Sequence, residues 1–67
     1  MVSYKCRLSD VMKIRGISQD ELAKRSGLTQ AMISRISNSK RVPTIVNAIK
    51  IAGALRCSIY DIWEVEQ

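Results

Sequence analysis

The chain has 67 residues, the size of one small domain near the lower limit at which a hydrophobic core folds unaided. Eleven lysines and arginines against six acidic residues give a formal charge of +5, and the sequence contains no histidine. This length excludes a large enzyme, and the composition excludes imidazole bases, Ser/His or Cys/His pairs and Cys2His2 zinc sites. The positive charge favours an anionic partner.

The two cysteines, Cys6 and Cys57, are far apart, and neither belongs to a CxxC pair of a zinc ribbon or redox motif. Two reduced, buried thiols are the simplest interpretation, and a disulfide between them stays open. Charged residues interrupt the most apolar stretch, 45–62, so no segment approaches the roughly 20 residues of a membrane-spanning helix. The chain also begins without a secretory-signal pattern, so we expect a cytoplasmic protein. No metal or cofactor is expected, because the sequence offers no cluster of metal-binding residues.

The predicted fold class is all-α, a compact bundle of five helices in a single domain covering residues 1–67. Apolar residues recur at intervals of three and four, and no sustained strand-like alternation appears. Start and stop signals place the helices at 4–15, 19–26, 29–38, 45–55 and 59–65. The positive charge concentrates in the middle of the chain, because no acidic residue lies between Glu21 and Asp61.

Small polar residues and glycines mark the predicted helix ends. Gly16 is expected to close the first helix in the left-handed conformation. Ser18 and Glu21 form a capping box before the second helix, in which Glu21 reaches back to the cap. The remaining N-caps are assigned to Thr29, Thr44 and Ser58, with Asp61 completing a second box.

Helical spacing predicts the inner faces of the first and fourth helices. The first helix is expected to bury Leu8, Val11 and Met12, and the fourth helix Val46, Ile49 and Ala52. Ile14 falls off the inner stripe of the first helix. Trp63, together with Ile59, Tyr60 and Ile62, fits either the core or a dimer patch, and the sequence leaves both interpretations open.

The third predicted helix has two distinct faces. Its front carries amide, hydroxyl, methyl and guanidinium groups, which can read base edges, within an arc of about 140°: Gln30, Ala31, Ser34, Arg35 and Asn38. Its back is apolar and holds Met32, Ile33 and Ile36. The second helix, the glycine turn and the third helix have the lengths of a helix-turn-helix over about 18–38, whose second helix enters the major groove of DNA.

The motifs of this region resemble those of the phage repressor/Cro family of helix-turn-helix regulators, also called the xenobiotic-response-element type. The matching segments are SQDELA at 18–23, GLT at 27–29, ISRI at 33–36 and KRVP at 40–43, with AGAL at 52–55 and SIYDI at 58–62. The resemblance covers about 8–63. It implies a five-helix fold that binds operator DNA as a homodimer, with the third helix in the major groove.

The resemblance assigns base contacts to the front of the third helix. Gln30 would read adenine through N6 and N7, and Arg35 would read guanine through O6 and N7. Ala31 would pack on a thymine methyl group. Ser34 either contacts a base or is small to permit close approach to DNA.

The resemblance assigns the DNA backbone to a second group of residues. Gln19, at the start of the second helix, would hold a phosphate with help from the helix N-terminus. The other members are three residues that reach the backbone or the minor groove: Asn38, Lys40 and Arg41. The cap Thr29 is also predicted to be a DNA-binding residue. Lys40 and Arg41 also fit an ordinary charged loop, but phosphate contact is favoured because no acidic residue is nearby in sequence. Such contacts set affinity more than sequence preference.

The chain departs from the family pattern at two places. Met12 and Ser37 occupy positions where family members often have an Arg and a Glu that pair. Replacing both partners of a buried ion pair can be neutral, so we predict that Met12 packs near Ser37 as core. Ser39 occupies a position that is usually glycine, so the chain either strains a non-glycine residue there or makes another turn.

The predicted function is sequence-specific binding of double-stranded DNA by a homodimeric transcriptional regulator that acts as a repressor. Its operator would be an inverted repeat with half-sites roughly 34 Å apart. The alternatives are an antitoxin of a toxin–antitoxin pair and a protein interaction module on the same fold. No enzymatic activity is expected, because the sequence offers no base, metal cluster or phosphate-binding glycine loop.

Overall fold

The computed structural model describes residues 3–66 and confirms a mostly helical domain with a small antiparallel sheet. Its elements follow in the order β1 (Ser3–Cys6), α1 (Leu8–Arg15), α2 (Gln19–Ser26), α3 (Gln30–Ser37), α4 (Ile45–Leu55), α5 (Ile59–Ile62) and β2 (Trp63–Glu66). In this described part, no helix has the length and apolar character that crossing a membrane requires.

The predicted N-caps are confirmed. The side-chain oxygens of Ser18, Thr29 and Thr44 each accept the amide N–H three residues on, at 3.2, 3.2 and 3.1 Å. Before α5, the carboxylate of Asp61 accepts the amide N–H of Ser58 at 2.9 Å, which completes the second capping box. These local bonds explain why the starts of α2 to α5 could be predicted.

The reciprocal half of the first capping box was predicted wrongly. Glu21 does not reach back to Ser18; its carboxylate accepts from Arg25 Nε at 2.9 Å, one turn later on the same helix. An i, i+4 acid–base pair is a competing partner for the same carboxylate, and here it prevails.

The helices α1, α3 and α4 end in the same backbone arrangement, which places a residue in the left-handed region. Gly16 at φ 66° and Arg56 at φ 54° directly follow their helices, and Ser39 at φ 59° follows α3 after Asn38. At the end of α3, the Ser39 N–H donates to the Ile36 carbonyl at 3.1 Å and the Lys40 N–H donates to the Arg35 carbonyl at 2.9 Å. This pair of bonds is the Schellman motif. Of the two alternatives for Ser39, the strained non-glycine residue is therefore the one adopted.

Residues 4–6 and 63–65 form a sheet where helix was predicted, and Arg7 precedes α1 instead of belonging to it. Strands β1 and β2 pair antiparallel, with Tyr4 opposite Val65, Lys5 opposite Glu64 and Cys6 opposite Trp63. Glu64 also forms an ion pair with Arg7. Strands of four residues are too short for a periodic signal, and their pairing joins residues about sixty positions apart.

The core lies where the five helices meet. Its fully buried large side chains are Leu8, Leu22, Ile33, Ile36, Ile51, Leu55 and Ile62. Met12 is buried as predicted and Val11 is half-buried, whereas Ile14 is 83% exposed. The proximity of Met12 to Ser37 stays a prediction.

The inner face of α4 was predicted wrongly at two of three positions. Val46 and Ile49 are 56% and 55% exposed, and only Ala52 is buried as expected. The helix instead buries Ala48, Ile51, Ala52 and Leu55. Because α4 is apolar on both sides, spacing alone does not show which side faces the core.

Trp63 belongs to the core. It is 8% exposed, and the neighbouring Ile62 is fully buried, so neither side chain is available for the alternative dimer patch. Ile59 is half-buried and packs against the core, whereas Tyr60 is 83% exposed. The C-terminal segment therefore closes the core through α5 and β2.

Candidate nucleic-acid interface

Helices α2 and α3 form a unit whose geometry is set by their ends. Gly27 ends α2 in the left-handed conformation at φ 76°, and its N–H donates to the Ala23 carbonyl at 2.9 Å. Only two residues later, Thr29 caps α3. Leu22 of α2 and Ile33 of α3 are both fully buried, so the two helices share the core and the opposite side of α3 faces outward.

The predicted front and back of α3 are confirmed as exposed and buried faces. On the front, Ser34 is half-buried and the other members are exposed: Gln30, Ala31, Arg35 and Asn38. On the back, Met32 is half-buried, whereas Ile33 and Ile36 are buried. The structure therefore brings the predicted base-reading side chains together on one outward surface, called the α3 front below.

One end of the α3 front is held by α2. The Gln30 side chain donates from Nε2 to Asp20 Oδ1 at 2.8 Å, and the other Asp20 oxygen lies 3.2 Å from Lys24 Nζ. Asp20, in the first turn of α2, was not among the predicted site residues. No periodic signal links residues ten apart on two helices, so only the packing of α2 against α3 reveals this contact.

The opposite end of the α3 front is loosely organised. Asn38 Nδ2 approaches Ser34 Oγ at 3.5 Å, which is a long contact, and the Asn38 N–H donates to the Ser34 carbonyl at 3.0 Å. The two side chains therefore remain free to find other partners.

Three cations on α3 and in the loop after it are unpaired. Within residues 3–66, ion pairs engage Arg7, Lys24 and Arg25, but none engages Arg35, Lys40 or Arg41. All three of these unpaired side chains are exposed. A surface with free guanidinium and ammonium groups attracts phosphate, and their charge is not cancelled by a protein carboxylate.

Two further predicted site residues lie at helix starts. Gln19 is the first residue of α2 and is half-buried, and Thr29 is exposed and engaged as the cap of α3. The amides of a helix N-terminus favour an anion, and the phosphate contact of Gln19 stays a prediction.

The thiols are separate from this surface. Both cysteines are half-buried and free, and Cys6 Sγ donates to the Ile36 carbonyl at 3.5 Å. Burial raises the pKa of the Cys57 thiol, and the charge of Asp61 adds to the increase, while the charge of Arg15 opposes it. In the described part of the chain, no three His, Cys, Asp or Glu side chains cluster to hold a metal.

Comparison with known proteins identifies the family. The helix-turn-helix family HTH_3 matches residues 8–62, which is most of the chain. No curated protein sequence matches the chain. Among solved structures, the fold is similar to that of the restriction-modification controller protein C.AhdI from Aeromonas hydrophila, with a TM-score of 0.78 and 31% identity over 82% of this chain and 83% of that chain. The chain belongs to the Cro/C1-type helix-turn-helix family of DNA-binding transcriptional regulators.

Proposed function

We propose that this regulator recognises a specific operator by inserting the α3 front into the major groove. The observation that carries the proposal is the separation of the two faces of α3, with Ile33 and Ile36 buried and the unpaired Arg35 exposed among amide and hydroxyl groups. The major groove presents a distinct pattern of donors and acceptors for each base pair, which such side chains can read.

The roles of individual residues follow from their chemistry. Arg35 matches guanine, because a guanidinium donates two parallel hydrogen bonds to O6 and N7. Gln30 matches adenine, and the methyl group of Ala31 matches thymine. Backbone contacts are assigned to residues around the helix ends, namely Gln19, Thr29, Asn38, Lys40 and Arg41.

We further propose that the protein binds as a homodimer on an inverted repeat. An exposed apolar surface supports a protein–protein contact. This surface, called the apolar face below, consists of Val42, Ile45, Val46 and Ile49, which are 55% to 69% exposed. Ile45 and Ile49 are one helical turn apart on α4, and Val42 and Ile45 line the same groove.

The proposed consequence of binding is repression by occupation of a promoter. A second candidate is control of a restriction-modification operon, and the similarity to C.AhdI favours it. The two candidates share the same DNA-binding surface and differ in the genes next to the operator. Mapping the selected operator onto the source genome separates them.

The test is selection of duplexes from a random DNA pool by the purified protein at near-physiological salt, followed by sequencing. The expected result is an enriched inverted repeat whose half-sites are about one helical turn apart. Arg35→Ala serves as the matched control, because Arg35 is exposed and its replacement should keep the fold while losing one base preference. Salt-sensitive retention of all duplexes without enrichment would reject the proposed function and favour an antitoxin or interaction module.

A further inference from the structure

We propose that Asp20 is a positioning residue that fixes the amide orientation of Gln30 and thereby makes this position select adenine over guanine. The inference rests on the proposed function of the α3 front. It starts from the contact between Gln30 Nε2 and Asp20 Oδ1 at 2.8 Å, which joins the first turn of α2 to the first residue of α3.

The contact determines which end of the Gln30 amide faces Asp20. A carboxylate has only acceptor oxygens, and the amide of glutamine has an acceptor at one end and two donors at the other. Only the NH2 end can therefore face Asp20. The amide oxygen of Gln30 points away from α2, and one N–H of the same group remains free.

The free N–H and the amide oxygen form a donor–acceptor pair, which matches one purine. Adenine offers an acceptor at N7 and a donor at N6, so both of its groups can be satisfied. Guanine offers acceptors at N7 and O6, and its O6 would face the Gln30 oxygen. A glutamine that can rotate its amide escapes this conflict by donating to guanine, and Asp20 prevents that rotation.

Lys24 makes a carboxylate tolerable at this position. Its ammonium group lies 3.2 Å from the second oxygen of Asp20. The pair has no net charge, so the negative charge of Asp20 repels nearby phosphates less than a lone carboxylate would. Asp20 thus keeps one oxygen for Lys24 and one for Gln30.

The test compares two variants that each remove one negative charge from the first turn of α2. Asp20→Asn keeps the shape of the side chain but can present either a donor or an acceptor to Gln30. Glu21→Gln is the matched control, because Glu21 pairs with Arg25 and does not contact Gln30. Both variants lose the same charge, so both should bind all duplexes slightly more tightly.

The variant Gln30→Ala first identifies the base pair of the selected operator at which Gln30 sets the preference. The affinity of each variant is then measured for operators that carry adenine or guanine at this base pair. The wild type and Glu21→Gln should prefer adenine by tenfold or more, which is within the range for a bidentate base contact. Asp20→Asn should reduce this ratio at least threefold, mainly by improving binding of the guanine duplex. It should have no effect on the ratio in a Gln30→Ala background.

A companion measurement on the free protein separates failure of the inference from failure of the proposed function. The Gln30 side-chain amide resonances in NMR spectra should shift in Asp20→Asn and stay in place in Glu21→Gln. If the operator is recognised but Asp20→Asn keeps the full adenine preference, the inference is overturned alone. If no duplex is recognised specifically, both the proposed function and the inference fail. This holds even if the amide resonances show that Gln30 contacts Asp20 in the free protein.

Discussion

Replacing Ser39 by glycine should stabilise the protein. Ser39 follows α3 at φ 59°, and both backbone hydrogen bonds of the Schellman motif are already present there. Its side chain makes no hydrogen bond among the described residues, so Ser39→Gly removes only the Cβ and hydroxyl group. The native backbone conformation is one that glycine adopts without steric cost.

The magnitude follows from two opposing contributions. A non-glycine residue in the left-handed region costs roughly 1–2 kcal/mol. Glycine loses more backbone entropy on folding, which offsets about 0.5–1 kcal/mol of this gain. The net increase in the free energy of unfolding is therefore about 0.5–1 kcal/mol. For a domain of this size, it corresponds to a rise in Tm of about 2–8 °C.

The assay is thermal and urea unfolding followed by circular dichroism, with Gly16→Ser as the mirror-image control. Gly16 occupies the equivalent position after α1 at φ 66°, and a Cβ there would meet nothing within 4 Å. Gly16→Ser should therefore destabilise by about the amount that Ser39→Gly stabilises. Operator affinity should not change in Ser39→Gly, because the loop keeps its direction. Unchanged or lower stability of Ser39→Gly, with the expected loss in Gly16→Ser, would refute the reasoning for the end of α3.

Three further predictions test the proposed DNA contacts, the dimer contact and the thiol. Arg35→Ala should cost about 1–3 kcal/mol of operator binding and relax the preference at one base pair. Lys40→Ala should instead weaken binding to all duplexes and reduce the slope of log affinity against log salt concentration by about one. Indistinguishable binding profiles of the two variants in filter-binding titrations would contradict these roles. Ile49→Lys on the apolar face should lower affinity for the full operator more than for a half-site and shift sedimentation toward monomer. Ile14→Lys, at a more exposed apolar residue outside that face, should do neither, and equal effects of the two variants would argue against the apolar face. Since burial raises the pKa of the Cys57 thiol, its alkylation in the folded protein should require a higher pH than in the unfolded chain, as measured by peptide mass spectrometry. Coincident alkylation profiles of the folded and unfolded protein would show that the fold does not protect Cys57. The raised pKa also means that the neutral thiol contributes stability at low pH, and this contribution is lost as the pH rises from the pKa of Cys57 in the unfolded chain to its pKa in the folded protein.

Much of the helical framework could be predicted because it depends on contacts within a few residues. Ser18, Thr29 and Thr44 each cap a helix by accepting a bond from three residues along the chain. Likewise, Gly16 and Gly27 end their helices where a positive φ is needed. The two faces of α3 also followed from spacing, since its apolar residues occupy only one side.

The candidate site could be predicted only in part, for a related reason. The residues of the α3 front lie on one helix, so their common surface is a local property of the sequence. The contact of Asp20 with Gln30 joins two helices, and its existence depends on how α2 packs against α3. The residue that we infer to control base preference was therefore not visible from spacing.

The sequence by itself determined the positions of α2, α3 and α4, their caps and the outward face of α3, because hydrogen bonds and helical periodicity act over three or four residues. The tertiary structure decided the pairing of β1 with β2 and the side of α4 that is buried. Both depend on which distant segments meet. Strands of four residues carry too little periodicity to predict their partner, and a helix that is apolar on both sides can bury either side until its neighbours are in place.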